Sequence, residues 1–213
     1  MTTGHTEIPR LRRVPTQARS RARVRRLLDT ADELVAEEGA EALTTTRVAE
    51  AAGVSVGSLY QYLPDKGAIV EALARRYLAE FEGLMDELER EIATDPGRWT
   101  DPIGRLIDAF AERYRERPGY RALWFGRELS EELRAADREN KVALARGVRR
   151  IAVKLGLARD DEYLRVAARA GVLVTDSILQ EAFRLDSRGD PALIEEAKRI
   201  LRLYLAEVVS HYS

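Results

Sequence analysis

The residues best suited to chemistry in this chain lie between Thr44 and Lys66, in the run TTTRVAEAAGVSVGSLYQYLPDK. Gln61 carries an amide able to pair bidentately with an adenine edge, and Ser58 can donate to or accept from almost any base. Tyr60, Tyr62 and Lys66 suit phosphate oxygens. Val56 and Gly57 are small, so backbone placed there can come close to a base pair. Gly53-Val54-Ser55-Val56-Gly57 also fits G-x-S-x-G, the turn that presents the nucleophile of serine hydrolases. That turn needs a strand before it, whereas Val48 to Ala52 favours helix. The one histidine downstream is His211, in the last helical turn of the chain. Ser55 therefore reads as a helix cap. His5 and His211 are the only histidines, and no carboxylate pair stands out. No metal site, cofactor or enzyme activity is expected.

The elements that would hold these groups are two short helices and a tight turn. Thr44 or Thr45 can start the first by accepting a backbone N–H. Val48, Ala49 and Ala52 give it a narrow apolar stripe, and Gly53 can end it in the left-handed conformation. Ser55 caps the second helix, and Leu59 is its one large inward residue. This is the helix-turn-helix pattern, which sets its second helix into the DNA major groove. The candidate DNA-facing set is Thr44, Thr45, Ser55, Val56, Gly57, Ser58, Tyr60, Gln61, Tyr62 and Lys66. Leu43-Thr44-Thr45, Val48-Ala49, Ala52-Gly53-Val54-Ser55, Leu59-Tyr60, Tyr62 and Lys66 resemble the DNA-binding signature of TetR-family regulators. The resemblance covers roughly residues 20 to 75. Leu63 stands where that family usually has Phe, and Gly67 where it often has an acidic residue. The first changes packing under the helix, and the second weakens the start of the next one.

Composition sets the frame around this motif. The 213 residues are 45% hydrophobic, enough for a sizeable core, and 33% charged, with a net charge of −1. Cysteine is absent, so no disulfide framework or thiolate metal site is available. No apolar run is long enough to span a membrane and no signal core opens the chain, so a soluble, cytoplasmic protein is expected. Positive charge gathers early, in Arg10, Arg12, Arg13, Arg19, Arg21, Arg23, Arg25 and Arg26. Such an arm attracts the phosphate backbone and makes binding salt-dependent. Arg10 to Arg13 read equally as a solvated tail.

The rest of the chain is all-α, with no strand pattern or repeat. A first helix is expected from Arg19 to Glu38, closed by Gly39 and covering the inner side of the helix-turn-helix. Asp65 caps a long fourth helix reaching about Ile92. The run Thr94 to Pro102 interrupts the chain, and Asp101-Pro102 opens a fifth helix that stops at Arg117-Pro118. An aromatic segment follows with Tyr120, Trp124 and Phe125, and then a helix from Ser130 to about Leu155. The eighth helix, ending near Phe183, is apolar nearly all round from Ala167. Asp190-Pro191 opens the last one, whose apolar stripe is too wide for one neighbour. The expected organisation is a flexible basic arm over 1–18, a three-helix DNA-binding head over 19–66, and a helical effector-binding and dimerisation domain over 67–213.

Two further sites follow from these stripes. Leu84, Leu88, Phe110, Tyr114, Trp124 and Asn140 are candidates to line a cavity for a small apolar effector, against the alternative that the aromatics are ordinary core. Asn140, Thr175, Asp176 and Ser177 interrupt apolar faces and need partners; for Asp176 pairing with another side chain is favoured over a ligand. Leu179, Phe183, Leu201, Leu205 and Val208 are the candidate dimer interface, two copies forming a four-helix bundle as the resemblance also implies. The implied function is a homodimeric transcriptional regulator, usually a repressor, bound to double-stranded DNA at a palindromic operator and released by a small molecule. The fourth helix, leading from the recognition helix to the aromatic-rich half, is the expected carrier of the signal. The competing class is a helical adaptor whose helix-turn-helix is only a packing motif.

Overall fold

The computed structural model describes residues 18–124 and 131–213. Residues 1–17 of the basic arm, Phe125 and Ser130 lie outside the described residues, while Arg19 to Arg26 of the basic run belong to the first helix. Within them the chain forms helices α1 (Ala18–Glu38), α2 (Thr45–Ala51), α3 (Val56–Tyr60), α4 (Lys66–Thr94), α5 (Pro102–Glu116), α6 (Pro118–Trp124), α7 (Glu131–Lys154), α8 (Glu162–Leu185) and α9 (Pro191–Ser210). Short 3-10 turns occupy Ala40–Ala42 and Pro96–Trp99. The described residues contain no strand, as the sequence leads one to expect. None of their helices is long and apolar enough to cross a membrane.

Helix starts fall where short polar side chains can accept an orphan N–H. Asp65 accepts from the Ala68 N–H at 2.8 Å, Asp101 from Gly104 at 3.1 Å, Asp161 from Leu164 at 2.9 Å and Asp190 from Leu193 at 2.9 Å. Pro102 and Pro191 sit at the first helical position, where a missing N–H costs nothing. Gly39 ends α1 with a φ of 81°, a value that side chains resist. Helix α6 is a difference from the sequence reading, which left its aromatic segment without a helix. Pro118 explains it: the residue that halts α5 is also a good first residue for the next helix.

The chain divides into two compact units, Met1–Tyr77 with Pro118–Leu129, and Leu78–Arg117 with Ser130–Ser213. Helix α4 runs unbroken through residues of both. The first unit therefore takes in α6, which the sequence reading assigned to the helical remainder. Its core holds Leu27, Ala31, Val35, Val48, Ala49, Leu59, Leu63, Ile69 and Leu73, all fully buried. A polar knot ties α1, α4 and α6 together. Arg76 reaches Asp29 and Asp32, each at 2.7 Å, and the Tyr77 hydroxyl donates to Asp32. Burial, reinforced by the Asp32 carboxylate, pushes the Tyr77 phenol far above its ordinary range. Gly119 lies directly on this knot: a side-chain carbon there would fall 2.0 Å from Asp32 Oδ1 and 2.5 Å from the Tyr77 oxygen. Tyr120 meets Tyr77 edge-on at 5.6 Å and stacks on Trp124 at 4.5 Å.

In the second unit α8 and α9 run antiparallel. Leu164 and Ala167, early in α8, share a core cluster with Val208 and Tyr212 at the end of α9. At the other end the short link through Gly189 touches both Phe183 and Ile194. This packing corrects the expected dimer interface. Leu179, Phe183, Leu201 and Val208 are buried in the chain's own core and cannot present an open face. Leu205 is half-buried and lines an open depression with Asp101, Ile103 and Arg202. The outward apolar residues instead include Tyr163, Val166, Leu173 and Val174 on α8, and Ile200, Leu203 and Tyr204 on α9. Periodicity misled because both helices carry two apolar stripes, and spacing alone does not say which one the core takes.

Candidate nucleic-acid interface

The turn between α2 and α3 is fixed by the backbone. Gly53 takes a φ of 67°, its N–H bonds to the Glu50 carbonyl at 3.1 Å, and the Val54 N–H reaches back to Ala49 at 3.0 Å. These are the two bonds of a Schellman stop. Thr44 Oγ1 accepts from the Arg47 N–H and Ser55 Oγ from the Ser58 N–H, both at 3.2 Å. Leu59, Val48 and Ala49 are fully buried and Ala52 nearly so, which seats α3 on α2 and α2 on α1. The segment before Ser55 is thus helix and its hydroxyl is engaged in a cap, so the hydrolase turn is not formed here.

With the inner side committed, the outer side is Gly57, Tyr60 and Gln61, exposed, and Val56 and Ser58, half-buried. A side-chain carbon at Gly57 would meet nothing within 4 Å, so backbone is open to approach. Tyr60 is 41% exposed, and its hydroxyl lies 3.2 Å from Thr45 Oγ1, which brings α2 and α3 to one surface. Lys66 is held at its edge, with its ammonium donating to the Glu41 carbonyl at 3.1 Å. Thr44, Thr45, Ser55, Val56, Gly57, Ser58, Tyr60, Gln61 and Lys66 all keep some exposure. Tyr62 does not. It is buried under the head, its hydroxyl 3.3 Å from Ser20 Oγ, and that burial removes it from the phosphate-facing set. Tyr60 is the last residue of α3 and Tyr62 lies in the turn that follows, so the two rings point to different sides.

The Arg47–Glu38 pair beside this surface went unnoticed in the sequence. The guanidinium donates twice to the carboxylate, at 2.9 and 2.5 Å, and ties α2 to the end of α1. That hydrogen bonding holds the Glu38 carboxyl below the usual carboxylate range and raises Arg47. The pair spans nine residues, so no helical spacing betrays it. The same holds for Asp29, Asp32 and Arg76, whose partners lie more than forty residues apart in the chain.

The candidate effector residues divide between the units. Leu84, Leu88, Tyr114 and Asn140 are buried in the second and Phe110 is half-buried there, while Trp124 belongs to the first. Phe81 stacks on Phe110 at 5.5 Å and Tyr114 on Phe183 at 5.1 Å, a row of rings inside the second unit. Asn140 Oδ1 is buried without a hydrogen-bond partner among the described residues. Asp176 does find one: Lys141 sits 2.8 Å away and is also bonded to Asp137, and Gln180 donates to Asp176 at 2.8 Å. The Thr175 hydroxyl turns back to the Gly171 carbonyl at 2.8 Å.

Comparison with known proteins agrees with this geometry. Residues 27–73 match the family model described as bacterial regulatory proteins, tetR family, and residues 97–209 match the tetracyclin repressor-like C-terminal domain. A TetR-family transcriptional regulator from Streptomyces coelicolor is 30% identical, with 89% of this chain and 98% of that one covered and a TM-score of 0.68. A TetR regulator from Haloarcula marismortui has the same fold at 19% identity, with 88% and 98% covered and a TM-score of 0.69. The fold is likewise shared by FadR of Bacillus subtilis, solved with stearoyl-CoA, at 20% identity, 85% and 97% coverage and a TM-score of 0.65. Among curated relatives, the nucleoid occlusion factor SlmA of Actinobacillus pleuropneumoniae is 31% identical over 99 residues, 46% of this chain. The match spans about half the length of that relative, 47%. Both halves of the sequence and the fold as a whole lead to one assignment: the chain belongs to the TetR family of transcriptional regulators.

Proposed function

We propose that this chain is a homodimeric, cytoplasmic repressor that holds a palindromic operator and lets go when a small apolar molecule binds its second unit. The observation that carries the reading is the outer side of α3. Gly57, Ser58 and Gln61 there are small or polar and at least partly exposed, while Val48, Leu59, Tyr62 and Leu63 are turned inward. A surface so free of bulk suits the major groove, where Gln61 reads a base edge and Lys66 and Tyr60 hold phosphates. One short helix reads few base pairs. Two copies related by a two-fold, about 34–36 Å apart, supply the length of sequence that a genome demands. The outward apolar stripes of α8 and α9 supply a surface for that pairing.

Leu84, Leu88, Phe110, Tyr114 and Asn140 are the effector residues under this reading, with the unpartnered Asn140 oxygen suited to a ligand that donates a hydrogen bond. Helix α4, continuous from Lys66 to Thr94, carries the change between the units. The effector must bind the DNA-incompetent arrangement better, and DNA must then weaken effector binding by the same factor.

Gel shifts with genomic fragments test the core of the proposal. Gln61→Ala is expected to cost roughly 1–3 kcal/mol on the specific site and little on random DNA. Lys66→Ala should weaken all DNA alike and lower the salt slope by about one. An unchanged preference for operator over random DNA in Gln61→Ala would remove the base-reading assignment.

A further inference from the structure

The charges of α8 and α9 are almost all spoken for. On α8, Glu162 pairs with Arg165, Glu181 with Arg184, and Asp176 with Lys141. On α9, Glu196 pairs with Arg199, Lys198 with Glu195 and Asp108, and Arg202 with Asp101. Two charged side chains remain. Arg169 and Glu207 are both exposed, and neither has a hydrogen-bond or ion-pair partner among the described residues. They are of opposite sign.

Their positions are as telling as their isolation. Arg169 falls three residues after Val166 and four before Leu173, inside the outward apolar stripe of α8. Glu207 falls four after Leu203 and three after Tyr204, inside that of α9. They also stand at one level of the antiparallel helix pair. Ala167, two residues before Arg169, shares a core cluster with Val208, the residue after Glu207. Tyr163 stacks on His211 at 3.9 Å at the same end.

We propose that Arg169 and Glu207 pair across the two-fold between copies of this chain, so that the outward apolar face of α8 and α9 is closed by two symmetry-related ion pairs. This rests on the homodimer reading above. A two-fold axis running along the helix pair leaves heights unchanged and sets Arg169 of one copy against Glu207 of the other, twice. The apolar stripes supply the adhesion. The crossed charges supply selectivity, since a copy with any other charge pattern at these two positions leaves a charge buried without its partner or facing its like. The partner that fits is a second copy of this same chain.

The test is a charge exchange followed by sedimentation equilibrium over a dilution series. Arg169→Glu and Glu207→Arg should each raise the dimer dissociation constant at least about tenfold, because each places like charges together twice. An equimolar mixture of the two variants should recover dimers at the parental constant, and a tag on one of them should show those dimers to be mixed. Circular dichroism identical to the parent's excludes misfolding as the cause. Parental self-association by Arg169→Glu, or no recovery on mixing, overturns the pairing. Val166→Asp/Leu203→Asp separates the two claims. If it is monomeric while Arg169→Glu dimerises normally, the face stands and the ion pair falls; if it too dimerises like the parent, the face itself is wrong.

Discussion

Helices α3 and α9 each show one side to their own core and one to the outside, and their outer sides are opposites. On α3 the outward residues are Gly57 and Ser58 with a single aromatic, Tyr60, and on α9 they include Ile200, Leu203 and Tyr204. The first surface suits a partner covered in charge and water, where hydrogen bonds decide the match. The second suits a partner as apolar as itself, where area decides it. A short helix with one large inward residue has one way to sit. A long helix with two apolar stripes has two, and only the rest of the fold chooses between them.

Leucines on α9 give the strongest test of that contrast. Leu201 is 8% exposed and Leu203 63% exposed, two residues apart on one helix. Leu201→Ala should lower unfolding free energy by about 2–5 kcal/mol, the range for a buried leucine. Leu203→Ala should change it by no more than about 0.5 kcal/mol while weakening self-association. Both are read by urea unfolding at a fixed protein concentration, since dimerisation would otherwise shift the midpoint. Equal losses from the two would mean that α9 is rotated relative to the packing described.

In the first unit the comparable contact is Gly119 against the Asp32–Tyr77–Arg76 knot. Gly119→Ala must displace Asp32 or move α6, at a cost of about 1–3 kcal/mol. Asp32→Ala removes the nearer partner of that crowding, leaving the Tyr77 oxygen, and loses its own hydrogen bonds. Combined with Gly119→Ala it should cost less than the sum of the two single changes, because the residues touch. Strict additivity in thermal unfolding would show that Gly119 does not press on Asp32.

A smaller effect marks the second unit. Glu91 accepts from Arg105 at 3.1 and 2.6 Å and forms an ion pair with Arg98 at 3.1 Å, and its side chain is 15% exposed. The Arg105 hydrogen bonds hold its carboxyl below the ordinary carboxylate value. A depressed value adds stability that is complete above the unfolded carboxylate range and is lost as pH falls through the lower, folded one. Glu91→Gln should therefore cost about 1 kcal/mol near neutrality, and the gap to the parent should close on acidification. A gap that stays constant down to pH 3 would assign the loss to packing.

What the sequence made legible follows the same division. Helix caps at Asp65, Asp101 and Asp190, the glycine stop at Gly53 and the inward Leu59 depend on neighbours within a few residues, and the structure has them as read. So does Asp176, whose polarity on an apolar helix required a partner. The contacts that escaped, such as Arg47–Glu38 and Asp32 with Arg76, depend on chain segments brought together by the fold. Tyr62 and the buried members of the expected dimer set failed for a related reason. Residue type gave their chemistry, but orientation is decided by what packs behind them.

Gly57 isolates the outward surface of α3 most cleanly, because its effect on stability should be small and of the opposite sign to its effect on binding. Its backbone is not in the positive-φ region, and a side-chain carbon there would meet nothing within 4 Å. Alanine has the better helix propensity by up to about 1 kcal/mol, so Gly57→Ala should leave the head as stable as before or slightly more so. On DNA the added methyl would stand where the backbone is proposed to approach the bases, and operator affinity should fall while unfolding does not. Gly119→Ala, by contrast, should lose stability first and binding only through it. Thermal unfolding and gel shifts on the same two preparations decide the matter. If Gly57→Ala binds operator like the parent, the start of α3 does not come close to the base pairs, and the reading surface must be sought further along the helix, at Tyr60 and Gln61.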